Sequence, residues 1–436
     1  MVVAALLLLF AQPQIVTQKL PDGWVGEHYD AHIEVRGGKK PLKWRGEGLP
    51  PGLMLAGGHI RGIPEAAGRF VFIVEVADKE GKKDSGVFVV VVRRRQRRVE
   101  KKDEGPLGLA LGWLARHQDT KHLGGEMGRW DPAGFMRRCG VPACSNPPRV
   151  REGLTVGITA LAALAFLNSG STHKTGKYAA TVDAALTWLL KQQDIRGWLG
   201  KLKEGGLWYV RDWFLNHALA TLFLCRLLRV SGDEALKRPA LRAVRCLLEA
   251  QTPSSAWGYD GESPNIVVSC LCVMGLKEAE AAGLKFPKGV FEDAARFAKT
   301  CVRKDGSFAY GGSESAKTWA SSETGCLASG VILLRLTGKD VPKRALARLR
   351  AFKVGRKVDD MAAAWLVVEA LRLMGDDRGE VADAIRKAVV AQQKRSGCEA
   401  GSWDPNDRWG KIGGRVYATA TGALILAATK KKSKKR

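Results

Sequence analysis

A unit of two helices joined by a loop with glycine and tryptophan recurs along this chain, and this repeat constrains the fold more than any other feature. In each copy the first helix ends in glutamine or a polar substitute, and the second helix is more apolar. Five stretches begin such a copy: "LGWLARHQDTKHLGGEMGRWDP", "LTWLLKQQDIRGWLG", "LRAVRCLLEAQTPSSAWGYDG", "ARFAKTCVRKDGSFAYGG" and "IRKAVVAQQKRSGCEAGSWDP". A further pair, "ALARLRAF" and "DDMAAAWLVVEALRLM", lacks the loop. About six pairs favour closure into a ring over an open array.

The glutamines and loop tryptophans predict how one pair attaches to the next. Gln118, Gln193, Gln251 and Gln393 recur in register, whereas the fourth copy has no glutamine and carries Phe308 in place of tryptophan. A helix end leaves backbone groups without hydrogen-bond partners, and glutamine can satisfy them. We therefore expect each tryptophan to pack over a helix end while the glutamine joins neighbouring pairs.

The two kinds of helix differ in polarity. Second helices such as "GLTVGITALAALAFL" are apolar nearly all round, whereas first helices such as "KRPALRAVRCLLEA" carry a charged face. A helix that is apolar on every side is buried, and a helix with one charged face lies at the surface. The pattern predicts two concentric rings over residues 106–429.

The repeat also resembles a known family. Gln followed by Gly and Trp at helix ends, as in "QQDIRGWLG" and "QQKRSGCEAGSWDP", is similar to the repeat of squalene cyclases and protein prenyltransferase β-subunits. That resemblance implies a terpenoid cyclase-like α/α toroid. The ending "DRWGKIGGRVYATATGALILA" and the stretch "FLNHALAT" are most similar to exported bacterial members of the superfamily.

Residues 20–92 have a different pattern, which predicts a small β domain. "AHIEVRGG", "FVFIVEVAD" and "GVFVVVVRR" are β-branched runs bounded by turn residues, as in an antiparallel sandwich. "LPPGL", "GHIRGIP", "AGRF" and "VAD", in that order, closely resemble the immunoglobulin-like domain found repeatedly in bacterial surface proteins. The expected fold class is therefore multidomain, with an immunoglobulin-like β-sandwich followed by an all-α toroid.

Three further segments complete the predicted organisation. The apolar run at residues 1–11 is too short to span a bilayer and predicts a signal peptide, although a buried first strand would also fit. Residues 93–105 form a charged linker, and residues 430–436 form a basic tail. We therefore expect a protein exported to the periplasm, cell surface or medium.

The chain is strongly basic, with a formal net charge of +26 from 70 Lys and Arg against 44 Asp and Glu. The linker run "RRRQRR" and the tail carry only five and six of these basic residues, so most of the excess is spread over the surface. This distribution favours an anionic partner surface, such as lipid headgroups or acidic polysaccharide, over specific nucleic-acid binding. A solvated tail that only aids solubility is the alternative for residues 430–436.

Catalytic motifs of the resembled families are missing. Class II terpene cyclases use an Asp-x-Asp-Asp stretch, but "KVDDMAAAW" offers only Asp359 and Asp360, which also fit a helix cap. Prenyltransferases need an Asp-x-Cys pair for zinc, and none occurs; the Gly-Cys-Gly-Glu-Gln of complement-like thioester domains is also absent. The repeat therefore indicates the fold and not the activity.

Polar residues on the apolar second helices are the remaining site candidates. "WYVRDWFLNHALAT" places Asp212, Trp213 and His217 near one helix start, and Tyr417 lies on the last second helix. His217 could be a core residue, or it could act with Asp212 and Tyr417 as acid and base on a polysaccharide. We name Asp212, Trp213, His217, Asp359, Asp360 and Tyr417 as candidate ligand-binding residues.

Cys139 and Cys144 lie close together in a polar loop. They could form a disulfide, donate two ligands to a metal for which the sequence shows no second pair, or remain thiols. We expect no metal and no cofactor. The sequence thus predicts an exported toroid that binds a ligand or partner without catalysis; a divergent cyclase-like enzyme or a polysaccharide lyase is the alternative.

Overall fold

The structure is a computed structural model. It describes residues 12–93, 105–119, 126–139, 142–200, 213–259, 263–311, 322–355, 357–376 and 379–430. The predicted signal peptide, nearly all of the charged linker and all but one residue of the basic tail lie outside these ranges. The chain divides into two compact units: the first holds the described strands together with residues 136–139 and 142–144, and the second holds the described α-helices.

The first unit contains strands of two to eleven residues, and two of them, Tyr29–His32 and Lys43–Glu47, show alternating burial. They are β1 (Gln14–Ile15), β2 (Gly23–Trp24), β3 (Tyr29–His32), β4 (Val35–Arg36), β5 (Lys43–Glu47), β6 (Leu53–Ala56), β7 (His59–Gly62), β8 (Gly68–Ala77) and β9 (Lys83–Arg93). Sheets have the orders β2-β9-β8-β5, β3-β7-β6 and β1-β4, and β2 pairs parallel with β9 while all other pairs are antiparallel. Ile60, Phe72 and Val90, from two sheets, share one core.

The second unit contains twelve α-helices among the residues that the structure describes. They are α1 (Pro106–Arg116), α2 (Thr155–Asn168), α3 (Ala179–Lys191), α4 (Trp213–Ser231), α5 (Lys237–Glu249), α6 (Ile266–Ala281), α7 (Gly289–Thr300), α8 (Glu323–Leu336), α9 (Lys343–Arg350), α10 (Met361–Leu373), α11 (Glu380–Gln392) and α12 (Gly410–Ala428). Within these residues, no helix is both long and apolar enough to cross a membrane.

The even-numbered helices form a closed inner ring. Each packs against the next one in the chain order, and α12 returns to pack against α2. Helix α2 is buried from Val156 to Leu167, as expected for an inner wall, whereas the outer helix α5 buries only one stripe. The odd-numbered helices lie outside and pack against the inner helices. The predicted α/α toroid of about six helix pairs is confirmed.

Three loop tryptophans occupy the predicted position over helix ends. The indole N–H groups of Trp130, Trp257 and Trp403 donate to carbonyls of the preceding outer helices at 2.8, 2.7 and 2.7 Å. All three side chains are buried. A Cβ on Gly422 would lie 2.8 Å from the Trp403 ring, so the inner helix needs glycine where the indole packs.

The glutamines join neighbouring pairs. Gln118 Nε2 donates to Gly128 O in its own loop at 2.8 Å and to Thr181 O, in the next outer helix, at 3.0 Å. Gln193 makes the equivalent bonds to its own loop and to Pro239 O. Gln393 donates to Pro106 O at 2.8 Å, which connects the sixth pair to the first. The predicted joining role is therefore confirmed for these three residues.

Candidate functional site

An apolar cavity of about 120 Å³ lies at the centre of the helical ring. Residues from all six inner helices line it. They include Ile158, Leu219, Leu271, Leu366, Trp365 and Trp409. None of the lining residues that the structure describes is basic. An apolar cavity of about 150 Å³ can hold a molecule the size of benzene, so this space accepts a small apolar group.

Two polar atoms on the cavity wall are buried without hydrogen-bond partners among the described residues. They are the hydroxyl oxygen of Tyr417 and the indole nitrogen of Trp365. Burial raises the pKa of Tyr417 well above its ordinary value, so its hydroxyl keeps its proton and can donate. Leaving such a donor unsatisfied costs about 1–3 kcal/mol, and a polar atom of a ligand would recover this cost.

Asp360 lies at the cavity wall but also serves the helix. Its Oδ1 accepts the backbone N–H of Ala363 at 2.9 Å, which caps the start of α10. Asp360 therefore has the capping role that the sequence allowed and lines the cavity with Tyr417 as well. The neighbouring Asp359 is exposed and is not among the described cavity-lining residues.

Asp407 is an acid that the sequence reasoning missed. Its Oδ2 accepts the Met361 N–H at 2.9 Å, and its Oδ1 accepts the Gly410 N–H, so the carboxyl bridges the starts of α10 and α12. Burial raises the pKa of Asp407, and the charge of Asp360 acts in the same direction. The sequence signal was the Asp three residues before a helix start in "DRWG", a common capping pattern.

His217 lies between the inner and outer rings. Its Nδ1 accepts the Leu199 N–H at 3.1 Å, and its Nε2 lies 3.1 Å from the Ala243 carbonyl, to which it donates. These partners fix the neutral tautomer, and burial lowers the pKa of His217 to about 4. His217 is not among the described residues that line the cavity.

The repeat explains this position of His217. Thr159 and Ser269 accept the backbone N–H of Trp130 and Trp257 at 3.0 Å, as His217 does for Leu199. We call the position that Trp130 and Trp257 occupy over a helix end the clamp position. In the second copy Leu199, and not Trp198, takes it. The imidazole also packs against the Trp198 ring, with centroids 4.8 Å apart. His217 is a larger acceptor than Thr159 or Ser269, and it accompanies Leu199, a clamp residue smaller than tryptophan.

Asp212 lies outside the described residues, and Trp213 begins α4 with a side chain that is not described. The structure thus brings Tyr417 and Asp360 together at the cavity and places His217 elsewhere. Of these candidates, Tyr417 is the one that lines the cavity and has a buried polar atom without a hydrogen-bond partner among the described residues.

A buried arginine also escaped the sequence reasoning. Arg415 is fully buried, and its Nη2 pairs with Asp404 at 2.6 Å and Glu399 at 2.8 Å. The same nitrogen donates to the Ser145 hydroxyl at 2.6 Å. These contacts join the last loop to the loop before α2, so Arg415 supports ring closure and not the cavity.

No family model and no curated protein matches this chain. Among solved structures, an inactive variant of an alpha-1,6-mannanase from Salegentibacter sp. with alpha-1,6-mannotriose is similar, with 11% identity, 73% of this chain and 98% of that chain covered, and a TM-score of 0.47. A type II terpene cyclase from Scytonema with geranylgeranyl dihydroxybenzoate shares 15% identity over 74% of this chain and 96% of that chain, with a TM-score of 0.46.

A polysaccharide lyase is similar over 88% of this chain, with 11% identity and a TM-score of 0.38. This chain covers 58% of the lyase, which is less than two thirds of its length. Function has to be argued from the residues of this chain.

Proposed function

We propose that the helical unit binds a small, mostly apolar molecule, or the end of an apolar chain, that carries one polar group. The main support is that two buried donors belong to residues lining an apolar cavity. These donors, Tyr417 Oη–H and Trp365 Nε1–H, have no hydrogen-bond partner among the described residues. Ligand sites are commonly apolar with a few polar groups that fix orientation. A ligand hydroxyl or carbonyl oxygen would accept from these donors.

Within this proposal the chain is an exported or surface-associated binding protein. The strand unit would act as an immunoglobulin-like adhesive or spacing module. The net charge of +26 suits attachment to an anionic surface such as lipid headgroups or acidic polysaccharide. The cavity itself favours an apolar ligand, because no described lining residue is basic.

A cyclase-like enzyme is the second candidate, favoured by the buried Asp407. A raised pKa is what a proton-donating carboxyl needs. Against it, both carboxyl oxygens accept backbone N–H groups, which favours the ionised form and occupies the atoms that would deliver a proton. Simple binding needs no such rearrangement, so we place binding first.

The test is a change in cavity volume. Ala362 lines the cavity on α10, and Ala362→Phe would fill it. Ala347→Phe adds the same side chain on the exposed face of α9 and is the matched control. Binding of a fluorescent polyene fatty acid, and its displacement by farnesol, should weaken at least about tenfold in Ala362→Phe and stay unchanged in Ala347→Phe.

Equal binding by both variants, with both folded by circular dichroism, would refute the cavity site. Conversion of geranylgeraniol to a cyclic isomer, detected by mass spectrometry with chromatography and lost in Asp407→Asn, would replace simple binding by the cyclase candidate.

A further inference from the structure

A groove of about 620 Å³ lies on the helical unit, apart from the central cavity. Its described lining residues include Lys177, Arg386 and Lys430, and none of the described lining residues is acidic. No ion pair joins Arg386 or Lys430 to another residue that the structure describes. We infer that this groove binds a carboxylate-bearing segment of an acidic polysaccharide. The inference rests on the proposed attachment to an anionic surface, to which it assigns a site and a chemistry.

The groove and the cavity lie toward opposite ends of the inner helices. From α2, the cavity is lined by Ile158 and Leu161 in the first half of the helix, whereas the groove is lined by residues 169–171, which directly follow the helix. From α12, Tyr417 lines the cavity and Leu426, near the end of the helix, lines the groove. The two sites share no described lining residue, so each can be changed without the other.

The three basic residues come from separate parts of the helical unit. The Lys177 ammonium lies 5.3 Å from the centroid of the Tyr178 ring, and that half-buried ring packs against Phe166 with centroids 5.0 Å apart. Arg386 is half-buried on α11, and Lys430 is exposed shortly after α12. Lys430 is also the first residue of the basic tail, so the tail is attached at this groove.

Two outer helices also begin at the groove and add to its positive potential. Gly105 and Tyr178, which directly precede α1 and α3, both line it. Neither helix has a side chain that caps its start or an acidic residue in its first turn. Because the start of a helix carries partial positive charge and unpaired N–H groups, both helices increase the attraction for an anion.

The wall of the groove between α2 and α3 is preformed. The Thr172 N–H donates to the Thr175 carbonyl oxygen at 2.8 Å within this loop. Gly176 has a φ of +94°, and a Cβ on it would lie 2.8 Å from Ser171 Cα, so the turn needs glycine. A preformed wall favours binding because little has to be ordered when the ligand arrives.

The shape of the groove and its arginine favour a polysaccharide over a membrane. A volume of about 620 Å³ lies within the range of sites that enclose a ligand of a few rings. A single polysaccharide chain can enter such a recess, whereas the broad surface of a bilayer cannot. The flat guanidinium of Arg386 matches a carboxylate with two parallel hydrogen bonds, and a uronic acid offers one carboxylate on each sugar ring.

Binding of a fluorescently labelled oligogalacturonate to the full-length protein, measured by anisotropy, tests this inference. We expect affinity to fall at least about tenfold in Arg386→Gln, which removes one charge-assisted contact. Lys387→Gln is the matched control, because Lys387 is the exposed neighbour on α11, pairs with Asp383 and is not among the described lining residues. It removes the same charge and should bind as the wild type does. A neutral malto-oligosaccharide of equal length should bind the wild type at least about tenfold more weakly.

A second variant covers the case in which Arg386→Gln does not fold. Lys430 is exposed at the end of the described chain, and Lys430→Gln should weaken oligogalacturonate binding about threefold. Arg386→Gln should still bind the polyene fatty acid, and Ala362→Phe should still bind oligogalacturonate, so failure of the groove and failure of the cavity are distinguishable. Equal affinity in the wild type and both groove variants, an equal loss in Lys387→Gln, or equal binding of the neutral oligosaccharide would overturn the site. Binding to phosphatidylglycerol vesicles without binding of oligogalacturonate would overturn it in favour of a membrane surface.

Discussion

The clamps between helix pairs and the central cavity differ in whether their buried polar atoms have hydrogen-bond partners. At the clamps, the indole N–H groups of Trp130, Trp257 and Trp403 all donate to carbonyls. At the cavity, the indole nitrogen of Trp365 and the hydroxyl of Tyr417 have no partner among the described residues. The indole N–H groups are thus satisfied at these three clamps, whereas the indole of Trp365 at the cavity is not.

This difference separates stability from function. A satisfied buried group contributes to folding, so its removal should destabilise the protein. An unsatisfied buried group costs folding energy, so its removal should be neutral or stabilising and should matter only for a ligand. His217 belongs to the first class, because both of its ring nitrogens are hydrogen-bonded to backbone groups.

The largest expected effect is at a clamp. Trp403→Ala removes an indole that is 2% exposed and its bond to Val389 O. We expect a loss of about 3–5 kcal/mol in the free energy of unfolding, measured by denaturant titration with helical circular dichroism. Trp24→Ala, at a 37% exposed tryptophan in the strand unit, is the comparison and should change this transition little. A loss under about 1 kcal/mol in Trp403→Ala would contradict the clamp role.

The next effect is a pH dependence from His217. Its pKa in the folded protein is about 4, below the ordinary value of 6.5, because burial disfavours the charged form. The unfolded chain therefore takes up the proton first as the pH falls, and stability should decline between about pH 6.5 and pH 4 by up to about 3 kcal/mol.

Stability of His217→Gln measured across the same pH range should lack this decline, since glutamine does not titrate. His28→Gln, at an exposed histidine, should retain the wild-type slope. Equal slopes in the wild type and His217→Gln would show that the imidazole is not held neutral. Ligand binding in the cavity should persist in His217→Gln, because His217 is not among the described lining residues.

The smallest effect on stability is expected at the cavity. Tyr417→Phe removes a buried hydroxyl that has no partner among the described residues, so the free energy of unfolding should change by less than about 1 kcal/mol or rise slightly. Affinity for a polyene fatty acid or farnesol should fall about tenfold, the value of one lost hydrogen bond. A large loss of stability with unchanged affinity would place Tyr417 with the clamp residues.

The periodic part of the fold could be predicted because its information is local. Apolar second helices, charged first helices and the recurring glutamines repeat along the chain, so the ring of helix pairs followed from the pattern. The loop after Gln193 shows what a local pattern cannot predict. This loop was expected to use Trp198 as the clamp, but the backbone register places Leu199 there, with His217 as the acceptor.

The candidate site depends on which way each side chain faces inside an inner helix that is apolar all round. Such a helix gives no polar face by which to choose between the cavity and the outer ring, so the sequence could name both His217 and Tyr417 but could not separate them. Tyr417 lines the cavity, whereas His217 bonds to Ala243 on the outer helix α5.

The sequence by itself determined the approximate number of helix pairs, their inner and outer assignment and the joining role of Gln118, Gln193 and Gln393, because these depend on spacings of a few residues. Only the tertiary structure decided what meets across the closed ring. Cys398 Sγ and His117 Nε2 are 281 residues apart in the chain and 3.4 Å apart in space, where the sixth helix pair meets the first. Ring closure creates that contact, and a local pattern cannot encode it because neither residue repeats in the other copies.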